Sequence, residues 1–136
     1  MSYQENNRKP KVKYRDLDFS FFRNPLTNDV SSKTNEEAIK ASVRHLCMTS
    51  KYERLFQPQI QGGVLKKLFE QATPQMGIRL KSDLEDLLNR FEPRIKLKNL
   101  SVGVNNEQNS LAVFIEYTLT NETRLITQTV TIDRIR

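Results

Sequence analysis

The apolar residues of the chain change their spacing from a helical period of 3.6 to a strand period of 2 around Pro93, and this change constrains the fold more than any other feature. Before it, apolar side chains form one helical stripe, made of Leu80, Leu84, Leu87, Leu88 and Phe91. Proline has no N–H for the helix ladder and biases the preceding residue towards an extended backbone. Because apolar residues alternate after Arg94, Glu92-Pro93-Arg94 is predicted to form a corner between a helix and a sheet.

Three strands are predicted after the corner, at about 96–104, 110–119 and 123–133. A polar segment separates the first two, which favours an antiparallel hairpin. In the third strand, Val130 and Ile132 lie on the apolar face. No later strand is predicted, so we expect a free edge that can pair with a strand of a partner, blunted by charges such as Arg134.

Three helices are predicted before the corner, at about 35–48, 64–70 and 75–91. The first begins at a capping box in which Thr34 and Glu37 each satisfy a backbone N–H. Runs of helices followed by runs of strands are typical of an α+β fold. The chain is therefore predicted to fold as an N-terminal extended arm and helices packed on a C-terminal antiparallel sheet of at least three strands.

An aromatic segment precedes the first helix, at residues 16–32, and is predicted to be irregular but ordered. Phe19, Phe21 and Phe22 supply much apolar area for so short a stretch. A loop with such side chains is usually pinned to the core or buried in a partner. Asn28 lies in a stretch of turn residues and tolerates a left-handed backbone.

Length and charge separate a body from a tail. The 136 residues and the hydrophobic fraction of 37% fit one compact domain, which we place at 16–136. Of the net charge of +6, residues 1–15 carry +4, because five Lys and Arg residues face Glu5 alone. This segment is predicted to be a flexible basic arm.

The same composition bears on partners. The body lacks aromatic residues interleaved with Lys and Arg, so nucleic acid is not expected as a partner. A small nucleic-acid-binding module that uses the basic arm stays open as a hypothesis for the function. The chain has no apolar run of membrane-spanning length and no apolar segment behind a basic start. We therefore expect no membrane partner, no signal peptide and a cytoplasmic protein.

The sequence offers little equipment for catalysis. His45 and Cys47 are the single histidine and the single cysteine, and they lie on different sides of the first helix, so no Cys-His pair, cofactor site or metal site is predicted. Cys47 shares a stripe with apolar neighbours and is predicted to be packed and unreactive. A glycosidase pair could join Glu92 to another carboxylate, namely Asp16, Asp18 or Glu53. The chain has no Trp for a sugar cleft, and Arg94 lies two residues from Glu92, so an ion pair or docking element is favoured over a catalytic acid.

A resemblance to a known family rests on the corner and four other stretches. A helix ending in Phe91-Glu92-Pro93-Arg94-Ile95 and followed by strands resembles the baseplate wedge and sheath-initiator family of contractile phage tails, which also has members in type VI secretion baseplates. The similarity spans about residues 16–132. The other stretches are Asp16–Asp18, Asn24–Val30, Ala38–Arg44 and Tyr52–Pro58. Asn28 departs from the glycine expected in its turn.

The resemblance implies a structural protein with no catalytic residue and no cofactor. It implies that Glu92, Pro93 and Arg94 dock the subunit on the helical core bundle formed by other wedge proteins. It also implies that the C-terminal sheet edge, with Val130, Ile132 and Arg134, binds the tail sheath protein and initiates the sheath, with tail tube proteins as a further candidate. The expected location is the virion tail baseplate, after assembly in the host cytoplasm. A peptidoglycan muramidase with Glu92 as its acid, and a type VI secretion subunit, are the alternatives.

Overall fold

The computed structural model describes residues 13–67, 73–105 and 110–133. Within these ranges the α+β fold is confirmed, with helices before a C-terminal antiparallel sheet. The elements are β1 (Arg15–Leu17), β2 (Ser32–Thr34), α1 (Asn35–Met48), α2 (Val64–Lys67), α3 (Pro74–Phe91), β3 (Ile95–Asn105), β4 (Ser110–Leu119) and β5 (Leu125–Asp133).

The chain divides into two compact units, and the boundary falls within α1, between Lys40 and Ala41. The single domain predicted at 16–136 stays a prediction. So does the flexible arm at 1–15, most of which lies outside the described residues, as does the predicted end of the second helix at residue 70.

The first unit contains a short sheet that the sequence did not predict. β1 pairs antiparallel with β2, with Arg15 opposite Thr34. Between the two strands, Asn28 has a φ of 57°, so the left-handed backbone predicted for it is confirmed. Strands of three residues are too short to show an alternating pattern, which is why this sheet escaped the sequence reasoning.

The phenylalanines between β1 and β2 remain exposed. Phe19, Phe21 and Phe22 are 61%, 64% and 73% exposed, so the expectation that this segment is pinned to the core is wrong. The rings of Phe19 and Phe21 lie edge to face with centroids 6.2 Å apart. Burial of this segment in a partner stays a prediction.

In the second unit, α3 forms as its sequence predicts. Thr73 caps the helix by accepting a hydrogen bond from the N–H of Met76, and Pro74 occupies the first turn, where its missing N–H costs nothing. The buried stripe consists of Met76, Leu80, Leu84, Leu87 and Leu88. This stripe faces the sheet, where α3 contacts β3.

The second unit's sheet has the order β3-β4-β5, and both neighbouring pairs are antiparallel. The three predicted strands are confirmed, with the last one beginning at Leu125. In β4 the buried side chains alternate without interruption, and in β5 the half-buried Gln128 interrupts the alternation once. The buried residues of the two strands are Leu111, Val113, Ile115, Tyr117, Leu119, Ile126, Val130 and Ile132. The hydroxyl of Tyr117 donates to Oε1 of Gln128 at 3.1 Å.

A β-bulge interrupts β3 at Lys98. The residues opposite Tyr117 and Glu116 are Leu97 and Asn99, so Lys98 is an extra residue without a partner on β4. One extra residue reverses the alternation. Ile95 and Leu97 therefore share the inner face with Leu100, Val102 and Val104, although the two groups differ in parity.

The turn after α1 is closed by backbone contacts. The N–H of Gly62 donates to the carbonyl oxygen of Thr49 at 2.9 Å. A Cβ on Gly62 would collide with the carbonyl oxygens of Leu46 and Cys47. Cys47 is fully buried, as predicted, and burial raises the pKa of its thiol to about 12.

Gly62→Ala should therefore destabilise the isolated chain. A methyl group forced against two backbone oxygens costs about 1–3 kcal/mol, which should lower the melting temperature by several degrees. Gly77→Ala is the matched control, because a Cβ at Gly77 in α3 meets nothing within 4 Å. The control should melt at or slightly above the wild-type temperature. Equal melting of the two variants by circular dichroism would contradict the close approach.

Candidate functional site

The side chain of Glu92 closes the end of α3 from the inside. Glu92 is 2% exposed, and its backbone N–H donates to the carbonyl oxygen of Leu88 at 3.0 Å. Arg94 holds the carboxylate with two hydrogen bonds, from Nε to Oε1 at 2.6 Å and from Nη2 to Oε2 at 2.9 Å. Ser42 of α1 donates its hydroxyl to Oε2. A buried carboxylate with three donors is a satisfied charge, because each donor replaces part of its lost hydration.

These donors determine the charge state of Glu92. Burial alone would raise the pKa of the carboxyl, but the hydrogen bonds from Arg94 and Ser42, with the charge of Arg94, outweigh it and hold the pKa below its usual value. Glu92 is therefore ionised at neutral pH. A general acid needs the opposite shift.

Glu92 should make the stability of the chain depend on acid pH. A carboxyl whose pKa is lowered by folding stabilises the protein above its unfolded pKa, and this contribution is lost as the pH falls through the folded value. Glu92→Gln should thus lower the melting temperature at pH 7, and the gap to the wild type should narrow below about the ordinary pKa of 4.5.

Asp83→Asn is the control for this pH series. Asp83 is exposed on α3, and its side chain forms no ion pair or hydrogen bond among the described residues. Solvent screens such a group, so its variant should change the melting temperature little at any pH. A constant gap between the wild type and Glu92→Gln from pH 7 to pH 3 would contradict the charged state of Glu92.

The backbone of the corner is fixed by the end of β4. The N–H of Thr120 donates to the carbonyl oxygen of Arg94 at 2.9 Å, and the hydroxyl of Thr120 donates to that of Pro93 at 3.1 Å. The N–H of Ile95 donates to the carbonyl oxygen of Glu92 at 3.3 Å. The helix, the corner and the β4 terminus therefore form one rigid piece.

The three residues of the corner differ in their exposure to solvent. Glu92 is buried, Pro93 is exposed, and the side chain of Arg94 is 23% exposed. The guanidinium fork of Arg94, which the sequence suggested for a partner, engages Glu92. Contact with a partner at this place would involve Pro93 and the outer side of Arg94.

The residues predicted to bind a partner at the C-terminal edge lie either on the inner face of the sheet or outside the described residues. The side chains of Val130 and Ile132 are 0% and 7% exposed, so they lie on the inner face of the sheet. β5 is an outer strand that pairs with β4 alone among the described strands, which leaves its other backbone edge for a partner. Arg134 lies outside the described residues.

Sequence reasoning missed Ser42 and Thr120. Ser42 lies between Ile39 and Leu46 on the apolar stripe of α1, and a polar residue on a stripe that becomes buried is a signal that a polar partner lies opposite. Thr120 follows the last alternating residue of β4 and carries no comparable signal.

The other residues weighed for chemistry have ordinary structural roles. Asp18 forms an ion pair with Lys33 at 3.3 Å, and Glu53 accepts a hydrogen bond from the N–H of Ser50 at 2.6 Å. In the described part of the chain, no group of three His, Cys, Asp or Glu residues could hold a metal ion. None of the described helices is long and apolar enough to cross a membrane.

Comparisons with known proteins find one sequence family and two solved structures with a similar fold. The sequence model of the family described as baseplate wedge protein gp25 matches residues 33–124. A candidate tail lysozyme from Geobacter sulfurreducens has a similar structure, with a TM-score of 0.63 and 20% identity over 74% of this chain and 92% of that one. The baseplate of the anti-feeding prophage contains a chain with a TM-score of 0.60 and 24% identity over 87% of this chain and 83% of that one. Among curated proteins no significant match is found.

Proposed function

The chain belongs to the family of baseplate wedge protein gp25, and on that premise we propose that it is a structural subunit of a contractile tail, which docks on the wedge core and initiates the sheath. Its place in this proposal is the tail baseplate of a phage particle, reached from the host cytoplasm. A type VI secretion baseplate is the alternative setting.

The observation that carries the docking proposal is the rigid corner at the end of α3, which lies inside the family match. Its buried carboxylate, its arginine and its two carbonyl oxygens are all bonded internally. A preorganised surface loses little conformational entropy when it binds. The exposed Pro93 and the accessible side of Arg94 can therefore contact the helical core bundle without rearranging.

The sheath proposal rests on the outer backbone edge of β5, which pairs with no other strand among the described residues. An outer strand offers unpaired N–H and C=O groups, and an added strand gains register from main-chain hydrogen bonds. The buried Val130 and Ile132 stabilise the strand on its inner face, so its backbone is held ready for a sheath subunit. Tail tube proteins remain a further candidate partner.

The absence of catalysis is also part of the proposal. The proton needed for glycoside hydrolysis must come from a carboxyl that is neutral at working pH. Glu92 has a lowered pKa and is enclosed by Arg94 and Ser42, so it suits an ion pair better than proton donation. The structural similarity to a candidate tail lysozyme concerns the fold.

A turbidity assay on purified peptidoglycan separates the structural role from the muramidase. The purified chain should leave the turbidity unchanged, because no neutral acid is available at Glu92. Clearing by the wild type that disappears in Glu92→Gln would overturn the proposal. Clearing that persists in Glu92→Gln would point to a contaminating hydrolase, which a mock purification identifies.

A further inference from the structure

A groove beside the corner is lined by two lysines that have no acidic partner among the described residues. It has a volume of about 440 Å³, and its lining includes Lys96, Lys98, Thr118, Thr120, Glu122 and Thr123. Lys96 lies opposite Thr118 in the register of β3 and β4, on the face of the sheet that points away from the core. The groove therefore lies on an outer surface of the second unit.

The side chains of the two lysines have no acidic partner, unlike those of three other described lysines. Lys33, Lys40 and Lys81 form ion pairs with carboxylates. The side chains of Lys96 and Lys98 are exposed, and neither forms an ion pair or hydrogen bond among the described residues. Unpaired cations side by side repel each other, and a ligand carboxylate relieves that repulsion.

Lys96 and Lys98 are two residues apart on β3, so the strand alternation carries Lys98 towards the same outer face as Lys96. Lys98 is also the extra residue of the bulge and has no partner on β4. Its side chain lines the same groove as that of Lys96.

Thr120 joins this groove to the corner. Its hydroxyl and its N–H bond the carbonyl oxygens of Pro93 and Arg94, and its side chain also lines the groove. A segment lying in the groove is therefore held at a fixed position relative to the corner. The fork of Arg94 engages Glu92, and Lys96 and Lys98 are the cations that line the groove and can pair with a partner's charge.

We propose that this groove binds an acidic segment of a neighbouring baseplate protein, with Lys96 and Lys98 pairing its carboxylates and the hydroxyls of Thr118 and Thr123 donating hydrogen bonds. The inference rests on the proposed function and adds the chemistry of the partner. Two lysines beside one carboxylate, Glu122, make a short, weakly positive site. This favours a short acidic peptide segment over nucleic acid, which needs a longer track of cations.

The test is reconstitution of baseplates assembled in a host that lacks the gene. Purified chain is added at increasing concentration, and the bound fraction is measured by pelleting. Lys96→Glu/Lys98→Glu should raise the concentration for half-saturation about tenfold or more, because two attractions become repulsions. Lys51→Glu/Lys66→Glu is the matched control, with the same change in net charge at exposed lysines outside the groove, and it should bind like the wild type.

Further measurements test the inference if the double charge reversal, Lys96→Glu/Lys98→Glu, melts at a lower temperature than the wild type. Glu122→Gln removes the repelling carboxylate and should lower the half-saturation concentration. Added salt should weaken binding of the wild type and strengthen binding of the double reversal, because it screens the attraction in the first and the repulsion in the second. Nuclease treatment should release no chain.

The outcomes separate the inference from the function on which it rests. The acidic-segment inference would be overturned if the two double variants bound equally, if Glu122→Gln bound no more tightly than the wild type, or if nuclease released the chain. In each of these cases the chain would still be a baseplate subunit. Failure of the wild type itself to bind would overturn the proposed function.

Discussion

Arg94→Ala should lower the melting temperature of the isolated chain by about 10 °C or more. The substitution removes two hydrogen bonds from a carboxylate that is 2% exposed, and breaking a buried pair by removing one partner costs about 3–5 kcal/mol. Arg79→Ala is the control, because Arg79 is an exposed arginine of α3 with no partner among the described residues, and it should melt like the wild type.

A second substitution identifies the cause of the loss. In Arg94→Ala/Glu92→Gln the unpaired charge is gone, so the double variant should melt above Arg94→Ala although it lacks one more native group. Melting of Arg94→Ala within a degree of the wild type would contradict the internal role of Arg94. A double variant that melts at the sum of the two single losses would contradict the coupling.

Blocking the backbone edge of β5 should leave baseplates with tube but no sheath. Successive N–H groups of a strand point to opposite sides, so of Thr129 and Val130 one donates to β4 and the other faces the free edge. Proline removes the donor and disturbs a ladder only where the donor is paired. Thr129→Pro and Val130→Pro should therefore differ in stability, and the one that melts more like the wild type should fail to initiate sheath.

Thr129→Ala is the control for this pair, because it keeps the N–H and should support normal sheath growth. Electron microscopy of tails made with each variant measures the sheath length. Normal sheath on a proline variant that melts like the wild type, and whose amide faces the free edge, would contradict edge pairing.

The sequence predicted best where a local pattern and the tertiary environment agree. The apolar stripe from Leu80 to Phe91 predicted α3 correctly. Its four leucines and Met76 are buried in the structure with the same helical period that the sequence shows. The alternation in β4 predicted its inner face without error, because both neighbours of that central strand are antiparallel. The helix α3 ends at Phe91, two residues before Pro93, as the missing N–H of the proline predicted.

The sequence predicted least where the outcome depends on partners distant in the chain. Ser42 and Glu92 are 50 residues apart, and no local pattern joins them. Arg94 could equally have faced a partner or its neighbour Glu92, and the turn of the chain at Pro93 decides between them. The bulge at Lys98 was hidden because Lys98 and Asn99 are both polar, so the shift in phase falls between apolar residues that look regular on either side.

The measurement that tests the central claim most directly is the protein composition of baseplates purified from particles made with and without the gene. Quantitative mass spectrometry should find the chain in a fixed ratio to the other wedge proteins in complete particles. Particles made without the gene should lack the chain and carry no sheath. Complete sheathed tails that form without the chain, or purified baseplates that never contain it, would contradict the assignment of this protein to the baseplate.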